Sequence, residues 1–289
     1  MRQNFSRMRG KKHDSSVITR KLKYVKRERP KYPFLAEKII QMSDLILEIL
    51  DARFIKETRN HELEEKIRKQ NKKIIYVLNK SDLIDLRKIK GEEETSQLSP
   101  KVFVSCINRK GGKELRNKIK ITSHGIKNPI DRALNKVTVG IIGFPNTGKS
   151  SVINFLVGKP AAGIGADAGF TRGIQKVNLT SKIVLIDSPG VIPNKQYSSS
   201  DLDAFSKHAK VGARSYSQVS SPEVVISNLV KEFPDVFNNF YNIDTQGDAE
   251  ILMEELGRKN GFLKKGNEVD EDKTARFILK EWQQGKIRK

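Results

Sequence analysis

Residues 143–150 read Gly143-Phe144-Pro145-Asn146-Thr147-Gly148-Lys149-Ser150, a full match to GxxxxGK[ST]. The run Val137 to Ile142 before it is apolar and β-branched, and Ser150 to Val157 after it carries a helix pattern. That is the strand, loop and helix setting the motif needs. Glycines let successive backbone N–H groups turn inward around a phosphate chain, and the helix N-terminus adds the positive end of its dipole. Lys149 is then expected to reach the β and γ phosphates and Ser150 Oγ to ligate Mg²⁺, with Thr147, Gly148 and Ser151 completing the phosphate cradle.

Working outward from this loop, four further short motifs bear on which nucleotide it holds. Asn79-Lys80-Ser81-Asp82 closes the apolar run Ile74 to Leu78 and fits NKxD. The Asp82 carboxylate can accept from both the N1–H and the exocyclic amine of guanine, a pair that adenine does not offer. Asn79 is expected to brace the loop and touch the base, and the Lys80 stem to cover the ring. A site that pairs buried polar groups rejects the wrong analogue by about 10⁴-fold, because the wrong partner leaves those groups unsatisfied. Ser105-Cys106 follows the next apolar run, where a short turn would offer backbone N–H to guanine O6. Asp187-Ser188-Pro189-Gly190 closes Ile183 to Ile186 and fits DxxG. Asp187 would hold Mg²⁺ through water and the Gly190 N–H would sense the γ-phosphate. Between the phosphate motifs, Thr171 in Gly169-Phe170-Thr171-Arg172-Gly173 would complete the Mg²⁺ shell in the GTP state.

Five apolar runs, Leu45 to Leu50, Ile74 to Leu78, Val102 to Ser105, Val137 to Ile142 and Ile183 to Ile186, read as buried strands. Helix-like stretches between some of them make βαβ units and an α/β core with a mainly parallel sheet. The expected organisation is a basic N-terminal arm at 1–33, the α/β nucleotide-binding domain at 34–195, a Ser-rich connection at 196–221 leading out of the DxxG switch, and a small all-helical domain at 222–289. Because DxxG leads straight into that connection, ordering of the switch by a γ-phosphate has a route to reorient the helical domain.

The chain has 289 residues and a formal net charge of +21. The excess is localised: residues 1–33 carry +10, residues 109–136 carry +7, residues 257–289 carry +5, and the remainder sums to −1. Three basic blocks around a neutral body point to a polyanionic partner. Phe5, Tyr24 and Tyr32 in the arm would stack on exposed bases, and Lys264 and Lys265 are placed for phosphate contact. Charge alone leaves RNA, DNA and an acidic membrane open. The single cysteine, Cys106, excludes an internal disulfide and suits a reducing compartment. No apolar stretch approaches the ~20 residues of a bilayer span, and no apolar segment follows the basic N-terminus as in a secretory signal. A cytoplasmic monomer without membrane or disulfide partner is the expectation.

In an ordinary small GTPase the order is phosphate loop, switch threonine, DxxG, NKxD and the Ser-Ala turn. Here NKxD at 79–82 and Ser105-Cys106 precede the phosphate loop, Thr171 and DSPG at 187–190. This is a circular permutation, and five motifs in rotated order are far more specific than any one. In that order, and in Asp51-Ala52-Arg53, Glu57-Thr58-Arg59-Asn60, Gly257-Arg258-Lys259 and Asp272-Lys273-Thr274-Ala275, the sequence resembles the YlqF (RbgA-like) circularly permuted GTPases. The resemblance implies a permuted P-loop GTPase domain followed by a helical domain that contacts rRNA. It also implies GTP and GDP as ligands, Mg²⁺ as cofactor, and a role in assembly of the large ribosomal subunit precursor. A GTPase coupled to tRNA modification, and an RNA-binding scaffold with a nearly inactive GTP site, are the alternatives.

Catalysis is less defined. Val191 stands where ordinary GTPases place a water-orienting Gln, so slow intrinsic hydrolysis, stimulated by ribosomal particles, is expected. Asn146 is the candidate ligand for a K⁺ ion that would stand in for an arginine finger. Lys149, Thr171 and Gly190 are the expected transition-state and phosphate contacts. No general base is assigned, since His13 and His61 have no matching context.

Overall fold

The computed structural model describes residues 31–89, 93–126, 129–130, 135–160, 175–187 and 207–288. The arm at 1–30, Thr171, Gly190, Val191 and the stretch 188–206 lie outside the described residues. Six strands form one sheet: β1 (Leu45–Asp51), β2 (Lys73–Asn79), β3 (Lys101–Phe103), β4 (Val137–Gly143), β5 (Gln175–Asn178) and β6 (Ile183–Asp187). Their spatial order is β3-β2-β1-β4-β6-β5. All neighbours are parallel except β5, which runs antiparallel to β6.

The five apolar runs thus become the parallel strands. All seven residues of β1 are buried, as a strand covered on both faces demands. β5 had no such run. Of its four residues only Val177 and its neighbours' backbone tie it to the sheet, and its side chains are mostly exposed, so it reads as polar loop until pairing with β6 is known.

Helices cover the sheet on both faces. Leu45, Leu47 and Ile49 of β1 pack in one core with Leu115 and Ile119 of α3 (Gly112–His124) and Val152, Ile153 and Leu156 of α4 (Lys149–Val157). Ile46 and Leu50 face the other way, against Ala36, Ile39 and Ile40 of α1 (Lys31–Met42) and Leu63 and Ile67 of α2 (His61–Lys69). Alternate β1 residues serve opposite faces because strand side chains alternate. In α3 the basic residue Arg116 turns inward, donating from Nε to the Leu156 carbonyl at 2.8 Å. One charge of the middle basic block therefore caps a neighbouring helix.

A third core belongs to four more helices: α5 (Pro222–Glu232), α6 (Pro234–Tyr241), α7 (Ala249–Lys259) and α8 (Glu271–Gln283). Trp282 of α8 is fully buried at its centre, with the Phe54, Phe233 and Phe237 rings at 5.9, 5.6 and 5.5 Å. Asp248 and Asp270 cap α7 and α8, accepting from Glu250 N and Lys273 N. The described part of the expected connection, 207–221, is more than a tether: Ala209, Val211, Ala213 and Val219 are buried in this helical core. Their apolar side chains are small and scattered among serines, which hides the packing from a reading of periodicity. Phe54 and Phe144 also enter this core, although both come from loops at the sheet edge. Tyr32–Lys289 is accordingly one compact unit, with the helical core built on the sheet edge and joined to it by side chains.

Candidate functional site

Parallel strands present all their carboxyl ends at one edge, and an open α/β sheet places its ligand crevice there, where the strand order reverses. In this sheet β1 is followed in sequence by β2 on one side and lies beside β4 on the other, so the reversal falls between β1 and β4. Asp51 pairs with Asn79 across β1 and β2, and Ile49 with Gly143 across β1 and β4. Asp187 ends β6 on the same edge. The rotated motifs are consequently neighbours in space.

Within the phosphate loop, Gly143 has φ 151° and Gly148 φ 93°, both in the region that glycine alone adopts freely. A Cβ at Gly148 would lie 2.2 Å from Asn79 Nδ2, so the two motifs approach too closely for a side chain. At that closeness Asn79 reaches the loop backbone, and its Nδ2 donates to the Thr147 carbonyl at 2.8 Å. Thr147 Oγ1 donates to the Phe144 carbonyl at 3.0 Å, and the Lys149 ammonium donates to the same carbonyl at 2.8 Å. Burial pushes the Lys149 amine down to about 8, with the Asp187 carboxylate opposing the shift. Ser150 Oγ donates to Asp187 Oδ2 at 3.1 Å. A hydroxyl and a buried carboxylate in contact form a hard-oxygen pair of the kind Mg²⁺ takes. Thr171 and Gly190, expected beside them, fall outside the described residues.

At the other end of the site, Ser105 Oγ donates to Asp82 Oδ1 at 2.6 Å and accepts from Asn108 N at 3.0 Å. The Ser105 N–H itself goes to the Lys110 carbonyl, so of the Ser105-Cys106 pair Ser105 orients Asp82 while Cys106 lines the cavity. Cys106 Sγ lies 3.5 Å from Asn79 Oδ1. Burial, then the Asp82 charge, pushes its thiol up to about 12, so it stays a neutral thiol there. Lys80 adopts φ 61°, a strained region for a non-glycine residue. Its ammonium reaches Asp51 Oδ2 at 2.7 Å, and Arg53 NH2 reaches the same oxygen at 2.8 Å. Burial alone would push Asp51 up, but Lys80 and Arg53 together hold the carboxyl well below the usual carboxylate range. This buried triad at the end of β1 ties down the loop that carries Asp82.

Sequence motifs did not reach the opposite wall of the cavity. A cavity of about 460 Å³ is lined on one side by Asn79, Asp82, Cys106 and Asn146, and on the other by Tyr216 and Gln284 from the helical region. Asn146, φ 59°, donates from Nδ2 to the Gly212 carbonyl at 2.7 Å. Phe144 is buried against His208, whose imidazole is pushed down to about 4 by burial and then by Arg214. The only early signal was the burial-prone Phe144 inside an otherwise polar loop. Among the described residues no cluster of three or more His, Cys, Asp or Glu side chains could hold a metal on its own.

Comparison with known proteins agrees with this fold. A family model described as 50S ribosome-binding GTPase matches residues 138–245. The chain is 38% identical over 254 residues to an uncharacterized GTP-binding protein of Methanocaldococcus jannaschii, a match spanning 88% of this chain and 65% of that protein. It is 35% identical over 258 residues to nucleolar GTP-binding protein 2 of Pneumocystis carinii, spanning 86% of this chain and 51% of that one. The chain therefore spans about half to two thirds of the length of these curated relatives. Among solved structures, GNP-bound YlqF from T. maritima superposes with a TM-score of 0.63 at 24% identity, covering 89% of this chain and 95% of that one.

Proposed function

We propose that this chain, with its YlqF-like fold, is a circularly permuted P-loop GTPase and a GTP-hydrolysing assembly factor that binds the large ribosomal subunit precursor in its GTP state and leaves after hydrolysis. The observation that carries the reading is the convergence of NKxD, Ser105-Cys106, the phosphate loop and Asp187 on one sheet edge despite their rotated order.

In this reading Asp82, oriented by Ser105, accepts from the guanine N1–H and amine, and Asn79 couples the base loop to the phosphate loop through the Thr147 carbonyl. Lys149 remains protonated at neutral pH, and the β and γ phosphates draw its ammonium away from the Phe144 carbonyl. Ser150 directly and Asp187 through water would hold Mg²⁺, joined by Thr171, and that ion would neutralise charge on the transferred phosphoryl group. Asn146 is the proposed K⁺ ligand. A cation would meet its Oδ1, the electron-rich atom of the amide, while Nδ2 donates to the Gly212 carbonyl. Val191 offers no hydrogen bond to water, so turnover by the free protein is slow and the ribosomal particle completes the site.

The proposed rRNA surface rests on the basic blocks. Lys264 and Lys265 sit in an exposed hairpin closed by Leu263 and Val269, so their charges are held out from the helical core. The Lys264 ion pair with Asp270 is long, at 3.8 Å, and open to solvent, so it is worth little, whereas neutralising rRNA phosphates gives a strongly salt-dependent affinity. A cytoplasmic monomer is the proposed working form, and no helix among the described residues is long and apolar enough to cross a membrane. Sedimentation of cell extract with added nucleotide tests the whole reading. Co-migration with large-subunit particles only with a non-hydrolysable GTP analogue is expected, and no association in either state overturns it. Crosslinking to tRNA in place of rRNA would overturn the ribosomal assignment alone.

A further inference from the structure

Residues 209–216 run from the helical turn 207–210, where Gly212 N donates to the Ala209 carbonyl, into the short turn Tyr216–Gln218, and several carbonyls on the way also take side-chain donors. One helix provides most of them. Gln283 of α8 donates from Nε2 to the Ala209 and Arg214 carbonyls, both at 2.9 Å, and its Oε1 accepts from Tyr216 N at 3.0 Å. Trp282 Nε1 donates to the Lys210 carbonyl at 2.9 Å, and Arg276 NH1 to the Tyr216 carbonyl at 2.9 Å. The Gly212 carbonyl, at the tip, takes its donor from Asn146 in the phosphate loop. Gly212 has φ 75°, so a glycine lets the tip turn toward Asn146 without strain.

The end of α8 also touches the base-reading side. A Cβ at Gly285 would lie 2.6 Å from Leu83 Cδ1, next to Asp82 in sequence. Arg53 NH1 donates to the Trp282 carbonyl at 3.1 Å. The helical region is thus fixed to the phosphate loop, to the NKxD loop and to the β1 triad. What lies between these three attachments is the cavity with Asp82 and Cys106 on one wall and Tyr216 and Gln284 on the other.

We propose that the helical region completes the nucleobase pocket in cis: Tyr216 and Gln284 form its second wall, and Gln283 is a positioning residue that holds this wall and, through Gly212, the amide of Asn146. The proposal rests on the guanine-nucleotide reading above and assigns part of that site to residues outside every nucleotide motif. Nucleotide release then requires the wall to move, so the base, and not only the γ-phosphate, senses the position of the helical region.

The full chain with ribose-labelled GDP, and with inorganic tripolyphosphate as a competitor lacking a base, tests this. Tyr216→Ala should speed GDP dissociation about tenfold, the size of one good hydrogen bond or ring contact, and leave tripolyphosphate affinity unchanged. Gln283→Ala should weaken both probes, and its effect on tripolyphosphate should vanish in an Asn146→Ala background, since both act through one contact. A purely structural defect would be additive there. Gln284 is exposed, so Gln284→Trp spares the core; its emission should change with GDP and not with tripolyphosphate. GDP dissociation within about twofold of the parent in folded Tyr216→Ala, or emission of Gln284→Trp that ignores GDP, overturns the pocket wall. Additive Gln283 and Asn146 effects overturn the positioning role. A parent protein that binds no labelled GDP overturns the nucleotide reading itself, and the proposal with it.

Discussion

The two ends of the proposed nucleotide site are built in different ways. The phosphate end is local: Gly143 to Ser150 is one segment, and its hydrogen bonds run from Thr147 and Lys149 back to Phe144 within the same turn. Asp187 and Asn79 join it from elsewhere, and Asn146 ties it to the Gly212 carbonyl. The base end is assembled from four segments: 79–83, 105–107, 212–216 and 283–284. Side chains tie several of these together, as Ser105 holds Asp82, Cys106 meets Asn79 and Gln283 holds Tyr216. A loop that closes on itself keeps its shape when distant parts shift. A pocket closed by distant parts changes with them, which suits the base end to report on the helical region directly, while the phosphate end feels that region at Asn146 and Phe144.

The largest expected effect breaks the base end alone. Asp82→Asn should replace an acceptor by a donor and turn guanine preference toward xanthine by about 10⁴-fold in relative affinity, with phosphate contacts intact. Competition between GDP and XDP measures it, and unchanged preference would remove Asp82 from the site.

Next in size is removal of the scaffold that holds the far wall. Trp282→Ala should cost about 3–5 kcal/mol in urea unfolding, because it empties the ring cluster with Phe54, Phe233 and Phe237. If the comparison holds, the surviving folded protein loses GDP affinity more than tripolyphosphate affinity; equal losses would mean that the two ends do not differ.

The third prediction addresses the phosphate end through pH. In the free protein the Lys149 amine titrates at about 8, and bound phosphates raise it. Binding therefore takes up a proton above pH 8 and weakens as the amine is lost: affinity for tripolyphosphate should be about tenfold lower at pH 9 than at pH 7. Isothermal titration in buffers of different ionisation enthalpy checks both the direction and the proton uptake.

The smallest effect lies beneath the site. Glu48, three residues before Asp51 on β1, is buried with Oε1 accepting from Asn60 N at 3.0 Å. Burial, then the Glu64 charge, pushes its carboxyl up to about 8 from 4.5. A raised acid binds its proton more tightly in the folded state, so that contribution is present at low pH and lost as pH rises toward 8. Stability should fall by about 1 kcal/mol between pH 6 and 7, and Glu48→Gln should flatten that slope without changing GDP affinity. A change in affinity would mean that the sheet interior, as well as its edge, tunes the site.

Much of the fold was legible before any coordinates. Parallel strands buried on both faces are continuous apolar runs, and all five such runs became strands. β5 escaped because an exposed edge strand needs only a neighbour's backbone, which leaves no trace in side-chain pattern. The boundary near 222 was blurred for a related reason: Ala209, Val211 and Ala213 are too small and too close to the serines around them to signal burial. Of the site, the clustering of Asn79, Asp82, Lys149, Ser150 and Asp187 was legible in motif order, since each motif sits directly after a strand. The Lys80 ammonium has a specific anchor, Asp51, that motif spacing did not indicate.

What the sequence determined by itself, then, is everything that short-range chemistry encodes: a glycine-bearing phosphate loop between strand and helix, the rotated order of motifs, and charge set apart from a neutral body. Tertiary structure alone decided that Phe144 would be buried in the helical core, that Gln283 would hold a loop some seventy residues upstream in the chain (|i−j| of 67 to 74), and that Tyr216 and Gln284 would face Asp82 across a cavity. The reason is physical: a glutamine in a helix carries the same donors and acceptors wherever it lies, and only packing chooses which backbone it satisfies.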